Sequence, residues 1–505
     1  MRLVLAMLAL ASLSACGSAP EPLPAIAPGA ETKFTLSGDV TRADFQTYKE
    51  IPFSVPRGVT SITVEFAYTG KENRTVIDLG LRDPKGQRGW SGGNKSKFNV
   101  GEFDATPSYM PGSIQPGDWI LVLGIPNIRE GQTAHYEADV TLSSTPPPPR
   151  ARPPLPADPV ISSDPGWRRG DFHSHTGHSD GSCDDGSGTR APCSIEETAR
   201  AARDARLDFI AITDHNTFSH RDPMRETQRG FPSLLLIPGT EITTFRGHAN
   251  AIGVSAPLEF ELGSPRLPAV RDLQANVDQQ GAILSINHPG QPSGEICMGC
   301  GWTAMDTDWS RIAAVEVING SGAPGRKPEG PMSGIVFWEN LLRQGYRITA
   351  IGGSDNHDPT DRKGERQSPI GSPTTVVWTN ELSQKGVIEG VKSGRVFIDL
   401  TNSPGIGFDS EGRSAAGAVK MGGVLMLRRG EQGSFIATFQ GIPGGSVEII
   451  SYNLATIEPS RDRLSQAEAT IQLSEGASSG WIRAQVRNAN GDLVVFGNPI
   501  YVRAL

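Results

Sequence analysis

Histidines and carboxylates recur in five short segments of this sequence. The first reads Asp171-Phe172-His173-Ser174-His175 and runs on to His178-Ser179-Asp180. The second is Thr213-Asp214-His215-Asn216. The third is Gly239-Thr240-Glu241, followed by Gly247-His248. Asn287-His288-Pro289 and Asp355-Asn356-His357 complete the set. Imidazole and carboxylate donors without thiolate suit Zn, Mn or Fe rather than Ca or copper(I). In His173-x-His175, two imidazoles leave an extended strand on the same side, because residues i and i+2 point the same way. Asp355-x-His357 repeats that spacing with one carboxylate. Taken alone, any of these histidines is more often an ordinary hydrogen-bonded residue than a ligand. Six of the nine histidines in the chain share this one context, which favours a common metal centre.

The elements that must carry these segments are apolar runs interleaved with helical patterns. Strand candidates are Phe209–Ile212, Leu234–Ile237, Ala282–Ile286, Ala314–Ile318 and Ile348–Ile351. A capping box, Ser194 to Glu197, opens a helix to about Arg206. Further helices are expected near Ala269–Gln280, Ile335–Gln344 and Gln384–Lys392. Alternating strands and helices imply parallel strands with helical crossovers, whose C-terminal ends converge on one face.

Outside this region the pattern is β. Over 33–144 the runs Ile62, Val64, Phe66 and Ile77, Leu79, Leu81 alternate, which suggests a jelly-roll-like sandwich. A second β-sandwich is expected over 403–505. A proline-rich linker spans 145–167 and the central unit 168–402. His135 falls in the first β region and reads as structural.

The start of the chain reads as an address. Arg2 precedes an apolar run too short to cross a bilayer. The run ends Leu13-Ser14-Ala15-Cys16, which resembles the lipobox of bacterial lipoproteins. That resemblance implies a signal peptide over 1–15, acylation of Cys16, and a Pro/Ala-rich tether over 16–32. The expected location is exported and lipid-anchored, at the outer membrane facing the periplasm or the cell surface. A plain signal peptide and a soluble periplasmic protein is the alternative. Export leaves Cys183, Cys193, Cys297 and Cys300 in an oxidising space, where disulfides are the default. The pairs Cys183–Cys193 and Cys297–Cys300 are the simplest connectivity. A four-thiolate zinc site and a Cys297-x-x-Cys300 redox motif are rivals. A net charge of -8 disfavours nucleic acid as a partner; protein partners are not readable.

The combination of HSHTGHSDG, TDHN, PGTE with GH, NHP and GSDNHD resembles the PHP (polymerase and histidinol phosphatase) superfamily of metallohydrolases, its exported, carbaryl-hydrolase-like branch in particular. The resemblance covers roughly 168–400. It implies a multidomain fold in which a central distorted (β/α)7 barrel is flanked by N- and C-terminal all-β sandwiches. It also implies two or three divalent metal ions (Zn, Mn or Fe). By the family pattern His173, His175, Glu241 and Asp355 hold the first, and Glu241, His248 and His288 the second, with Glu241 bridging. Asp180, His215 and His357 hold the third. Asp214 is expected to support the site rather than to ligate.

Such a centre stays cationic and suits an anionic ester. The expected reaction is hydrolysis of small organic phosphate esters, diesters over monoesters, by attack of a metal-bridging hydroxide. His178 and His220 are candidates for a general acid, and Arg246 for a phosphate contact. Trp302 and Trp309, in loops over 289–310 and 320–334, are candidates to line the substrate pocket. The competing enzyme reading is a carboxyl-ester or carbamate hydrolase using the same metals. The competing class is a non-catalytic surface binding protein.

Overall fold

The structure is a computed structural model that describes residues 24–146, 158–295, 297–320, 327–463 and 465–505, with backbone alone for 456–463. The expected signal peptide, Cys16, the first part of the tether and residues 147–157 of the linker lie outside the described residues.

The N-terminal region folds as two four-stranded antiparallel sheets. One orders the strands Glu31–Thr41, Thr133–Ser143, Ser61–Tyr68 and Lys97–Gly101. The other orders Tyr48–Val55, Gly117–Asn127, Val76–Asp83 and Gly86–Gly92. Period-two alternation puts Ile62, Val64, Ile77, Leu79 and Leu81 inward, where they close a core around Trp119 and Leu121. His135 sits on the exposed face, its Nδ1 at 2.8 Å from Asp39.

The central region departs from the expected barrel. Strand makes up 44% of the structure and helix 12%, in five α-helices and three short 3-10 turns among the described residues. That is too few helices for a (β/α)7 barrel. The strands Gly166–Asp171, Phe209–Ile212 and Leu235–Thr244 do run parallel. Leu235–Thr244 and Gly247–Ile252, however, are joined by the two residues Phe245 and Arg246, and so must pair antiparallel. Ile283–Ile286 again pairs antiparallel, and Ala314–Asn319 and Thr349–Gly353 return to parallel. On its other side Gly166–Asp171 pairs antiparallel with Thr374–Thr379.

The separate C-terminal sandwich is corrected as well. Val396–Asp399 pairs with Leu493–Gly497, and Ser479–Arg487, Ile500–Ala504 and Val424–Leu427 follow in the same fourteen-stranded sheet. Asn498 fastens this continuation by accepting from Ala350 N–H at 2.7 Å and donating to the carbonyls of Ala350 and Val396. A five-stranded sheet that includes Gly407–Ser414 and Gly433–Gln440 completes the C-terminal region.

The N-terminal region packs on the loops that follow the central strands. Ser179 O accepts from Asn94 Nδ2 at 2.6 Å and from Lys95 Nζ at 3.0 Å, and Ser108 Oγ donates to His178 O at 2.6 Å. Trp90 meets Phe260 edge to face at 4.8 Å. Beside them Arg82, 2% exposed, is bounded by three carboxylates: Glu50 at 2.7 Å, Glu259 at 3.4 Å, and Glu261. Arg266 also approaches Glu50, at 3.6 Å. One buried guanidinium cannot neutralise three carboxylates. Burial, opposed by Arg82 and reinforced by Glu259 and Glu50, pushes Glu261 up to about 7. The folded protein therefore keeps a proton that the unfolded chain releases near its ordinary value of about 4.5. That contribution is full below about 4.5 and is lost as the pH rises to about 7, some ~3 kcal/mol in all. Thermal unfolding midpoints of the wild type should thus fall between about pH 5 and about pH 8, and Glu261→Gln should remove most of the fall. An unchanged pH dependence in the variant would count against this account.

Candidate metal centre

The site begins with carboxylates that shape its backbone. Asp171, fully buried at the end of its strand, accepts from His173 N–H at 3.1 Å, Ser354 N–H at 3.0 Å and Gly371 N–H at 2.7 Å. It thereby ties the first ligand segment to the last. An isolated bridge between Ser174 and Asn356 and the bond from His175 N–H to Asn356 O (2.9 Å) hold the two segments side by side. Asp214 accepts from Thr176 N–H, Thr176 Oγ1 and Ser179 Oγ at 2.7–2.8 Å, which sets the turn leading to Asp180. Burial raises its pKa, but His220 and Ser179 outweigh that and hold it well below the usual carboxylate range. His288 and Asp355 both adopt left-handed backbone (φ 29° and 52°), uncommon for residues with a Cβ. Each is secured through its N–H: His288 to Glu316 Oε2 at 3.1 Å, Asp355 to His173 O at 2.9 Å.

The structure brings all nine expected ligands together, in three overlapping sets. Glu241 Oε2 lies 3.4 Å from His173 Nε2 and 3.5 Å from His175 Nε2, and Asp355 Oδ1 lies 3.3 and 3.1 Å from the same nitrogens. The other oxygen, Glu241 Oε1, is 3.5 Å from both His248 Nδ1 and His288 Nε2. Asp180 Oδ1 is 3.4 Å from His357 Nε2 and 3.7 Å from His215 Nε2. Donors around one tetrahedral ion with bonds of 2.0–2.1 Å stand about 3.4 Å apart. Four buried atoms, His173 Nε2, His175 Nδ1, Asp180 Oδ1 and Glu241 Oε2, make no well-aligned hydrogen bond, although His215 Nδ1 stands 2.8 Å from Glu241 Oε2. Three of these face the sets directly, and a shared cation would satisfy them; leaving them bare is costly. The donor set and its spacing fit divalent metal ions.

Electrostatics follow from this crowding. Burial raises Glu241 and Asp355, yet the surrounding imidazoles prevail and hold both well below the usual range. Burial together with the neighbouring His357 and His215 lowers His175 to about 4. His215 rises to about 9, because Glu241 and Asp180 overcome its burial.

Side chains and carbonyls behind the ligands fix which ring nitrogen faces inward. Glu316 lies 3.2 Å from His173 Nδ1 and so leaves Nε2 for the site. Cys300 O accepts from His288 Nδ1–H at 3.1 Å, and Met298 O from His248 Nε2–H at 3.0 Å. Asn287 Nδ2 donates to Glu241 Oε1 at 2.9 Å. The sequence assigns no role to Glu316, and none to Asn287 beyond its place in the NHP motif. Glu316 left a signal, a lone carboxylate inside the apolar run Ala314–Ile318, where an unpaired charge is expensive to bury.

Seven of the nine expected ligands, all but His173 and His175, line the floor of a cavity of about 550 Å3. Its far wall comes from the N-terminal region, with Tyr48, Asp78, Trp90 and Asn94; Phe245 and the Cys297–Cys300 loop close the sides. Tyr48 stacks on Phe245 at 4.8 Å. Burial pushes Asp78 up to about 7 against the pull of His215 and the Gly93 N–H. A carboxyl that keeps its proton near neutrality can donate to a leaving oxygen. No local sequence pattern marked this wall, which lies far from the ligands along the chain.

The three other expected site residues do not border the cavity. His178 is turned to Ser219 Oγ at 2.8 Å, and burial lowers it to about 4. His220 is wholly buried with its Nδ1 3.1 Å from Asp214. Arg246 is exposed in the turn between the two strands that carry Glu241 and His248. Trp302 donates to Thr307 Oγ1 at 2.9 Å and Trp309 packs on Phe337, so both serve packing. The disulfides Cys183–Cys193 and Cys297–Cys300 are both formed.

No protein-family model matches the chain, and no curated protein does. Among solved structures it is similar to a two-domain protein from Bacteroides vulgatus, described as containing a predicted PHP-like metal-dependent phosphoesterase. Identity is 19%, over 70% of this chain and all of that one, with a TM-score of 0.36. An overlap that loose carries no argument of its own.

Two substitutions separate ligand support from scaffold. Glu316→Gln should weaken metal binding about 10–100-fold, read by equilibrium dialysis against buffered metal, with an unchanged circular dichroism spectrum. His220→Asn should cost about 2 kcal/mol of stability while the folded fraction keeps its full metal content. Metal loss without destabilisation would reverse that assignment.

Proposed function

We propose that this protein is a metal-dependent phosphoesterase of the PHP type, acting on small organic phosphate esters and on diesters in preference to monoesters. The observation that carries the reading is the Glu241 carboxylate between two imidazole sets, with the Asp180 set beside them at the floor of one cavity. Divalent ions held by these residues would supply a nucleophile at neutral pH and positive charge for the ester oxygens.

The chain's own residues grade the site from mouth to floor. Asp180, His215 and His357 are 40%, 25% and 27% exposed at the side chain, whereas His173, His175 and Glu241 are at most 1% exposed. An ester entering the cavity therefore meets the Asp180 set first. Tyr48, Trp90 and Phe245 offer apolar surface to its organic group. Among the described residues bordering the cavity there is no Lys or Arg. Nothing there answers the second negative charge of a monoester, which favours a singly charged diester. The same lack of cations keeps a neutral carboxyl ester or carbamate as the second reading. Export and a lipid anchor at Cys16 belong to this proposal on the strength of Leu13-Ser14-Ala15-Cys16 alone.

A substrate panel tests the reaction. Bis-p-nitrophenyl phosphate should turn over with a kcat/KM at least about tenfold above that of p-nitrophenyl phosphate. Chelation should abolish turnover and metal should restore it, and Asp355→Asn should lose at least about a hundredfold. Hydrolysis of an aryl acetate or carbamate with no phosphoester turnover would replace this reading with the second. For the anchor, a palmitate analogue fed to expressing cells should label the full chain and leave Cys16→Ser unlabelled.

A further inference from the structure

Two ligands of one set are held from behind by the same short loop. The sequence Cys297-Met298-Gly299-Cys300 closes on itself through its disulfide. Its Met298 carbonyl accepts from His248 Nε2–H at 3.0 Å, and its Cys300 carbonyl from His288 Nδ1–H at 3.1 Å. A carbonyl can only accept, so each bond places the ring proton on the outer nitrogen. The inner nitrogens, His248 Nδ1 and His288 Nε2, are left with free lone pairs 3.5 Å from Glu241 Oε1. The loop is also seated firmly. Gly299 has φ 78°, and a Cβ there would collide with the Thr244 carbonyl on the strand that carries Glu241. Cys300 is 3% exposed, and its sulfur lies within 4.8 Å of ring nitrogens of both histidines.

We infer that the Cys297–Cys300 disulfide is a positioning element that sets metal affinity at the Glu241–His248–His288 set and makes that affinity redox-dependent. The inference rests on the metal-binding reading above. A dithiol supplies the two electrons: it is oxidised to its own disulfide, the bond between Cys297 and Cys300 breaks, and each sulfur takes up a proton. The loop then loses its closure, its two carbonyls are no longer fixed, and both rings are free to turn or to exchange tautomers. Reduction should therefore weaken one set and spare the others, whose rings are oriented by Glu316 and by the Asp355 carbonyl.

The test uses the full chain, wild type and the double variant Cys297→Ser/Cys300→Ser, titrated with Co2+. Elemental analysis reads the number of ions bound, and the visible Co2+ bands read each environment. The double variant should bind one ion about 10–100-fold more weakly than the wild type, with the remaining bands unchanged. Wild type treated with dithiothreitol and desalted without air should match it, and reoxidation should restore the wild type alone. This second arm reads the same quantity should the variant fail to fold. A variant or reduced protein that fills every set with affinity within twofold of the oxidised wild type overturns the inference and leaves the metal reading standing. A wild type that binds no Co2+ overturns both.

Discussion

Each oxygen of the Glu241 carboxylate faces its own group of imidazoles, and the rest of the site is arranged to make that tolerable. A carboxylate sealed from water at this depth would ordinarily take up a proton. Here the charge is kept chiefly by His173 and by His215, whose Nδ1 stands 2.8 Å from Oε2, with His175 on the same oxygen and His248 and His288 facing the other. Those rings converge because Leu235–Thr244 lies between strands that lead to His215 on one side and His248 on the other. The tight Phe245-Arg246 turn that rules out a helical crossover is also what brings His248 back beside Glu241. The departure from a regular barrel and the gathering of the second set thus have one cause.

A second constraint is the division of labour between regions. The central sheet supplies the nine candidate ligands, and the N-terminal sheets supply a wall of the cavity above them. The joint between the two regions is polar: Asn94 and Lys95 donate to the Ser179 carbonyl, one residue from Asp180. Arg82 and its three carboxylates pin the same joint from the other side. Movement of the N-terminal region would therefore alter both the cavity wall and the turn that aims Asp180.

The candidate ligands were legible in the sequence because metal chemistry writes itself locally. His173-x-His175 and Asp355-x-His357 report strand geometry within three residues. What supports them was less legible. Asp171 and Asp214 sit inside the motifs, but their work of joining distant backbone N–H groups has no local signature. Tyr48, Asp78 and Trp90 reach the cavity through packing between regions, which no spacing rule records. His178 and His220 lie beside the motifs, yet Ser219 and Asp214 claim their rings. The distorted (β/α)7 barrel was expected from the family resemblance, and apolar strands do alternate with helical patterns here. Pairing direction depends on connection length and on partners far along the chain, and the returns at Gly247–Ile252 and Thr374–Thr379 are antiparallel.

The bond network of Asp171 has a consequence for when a metal centre could assemble. Its carboxylate joins residues 173, 354 and 371, and the strand that carries it is flanked by Thr374–Thr379. Pairing with the Phe209–Ile212 strand can seat the first histidines early, but their tie to the Asp355 segment cannot form until residues 354 to 371 are present. Contacts this distant in sequence form slowly, since a long loop must close before any of them is rewarded. While the chain is being made, His173 and His175 meet His215 and Glu241 early, but the last segments that Asp171 ties beside them come some two hundred residues later. A complete metal centre would therefore have to await completion of the central sheet, and a chain truncated before that point would lack Asp355 and His357.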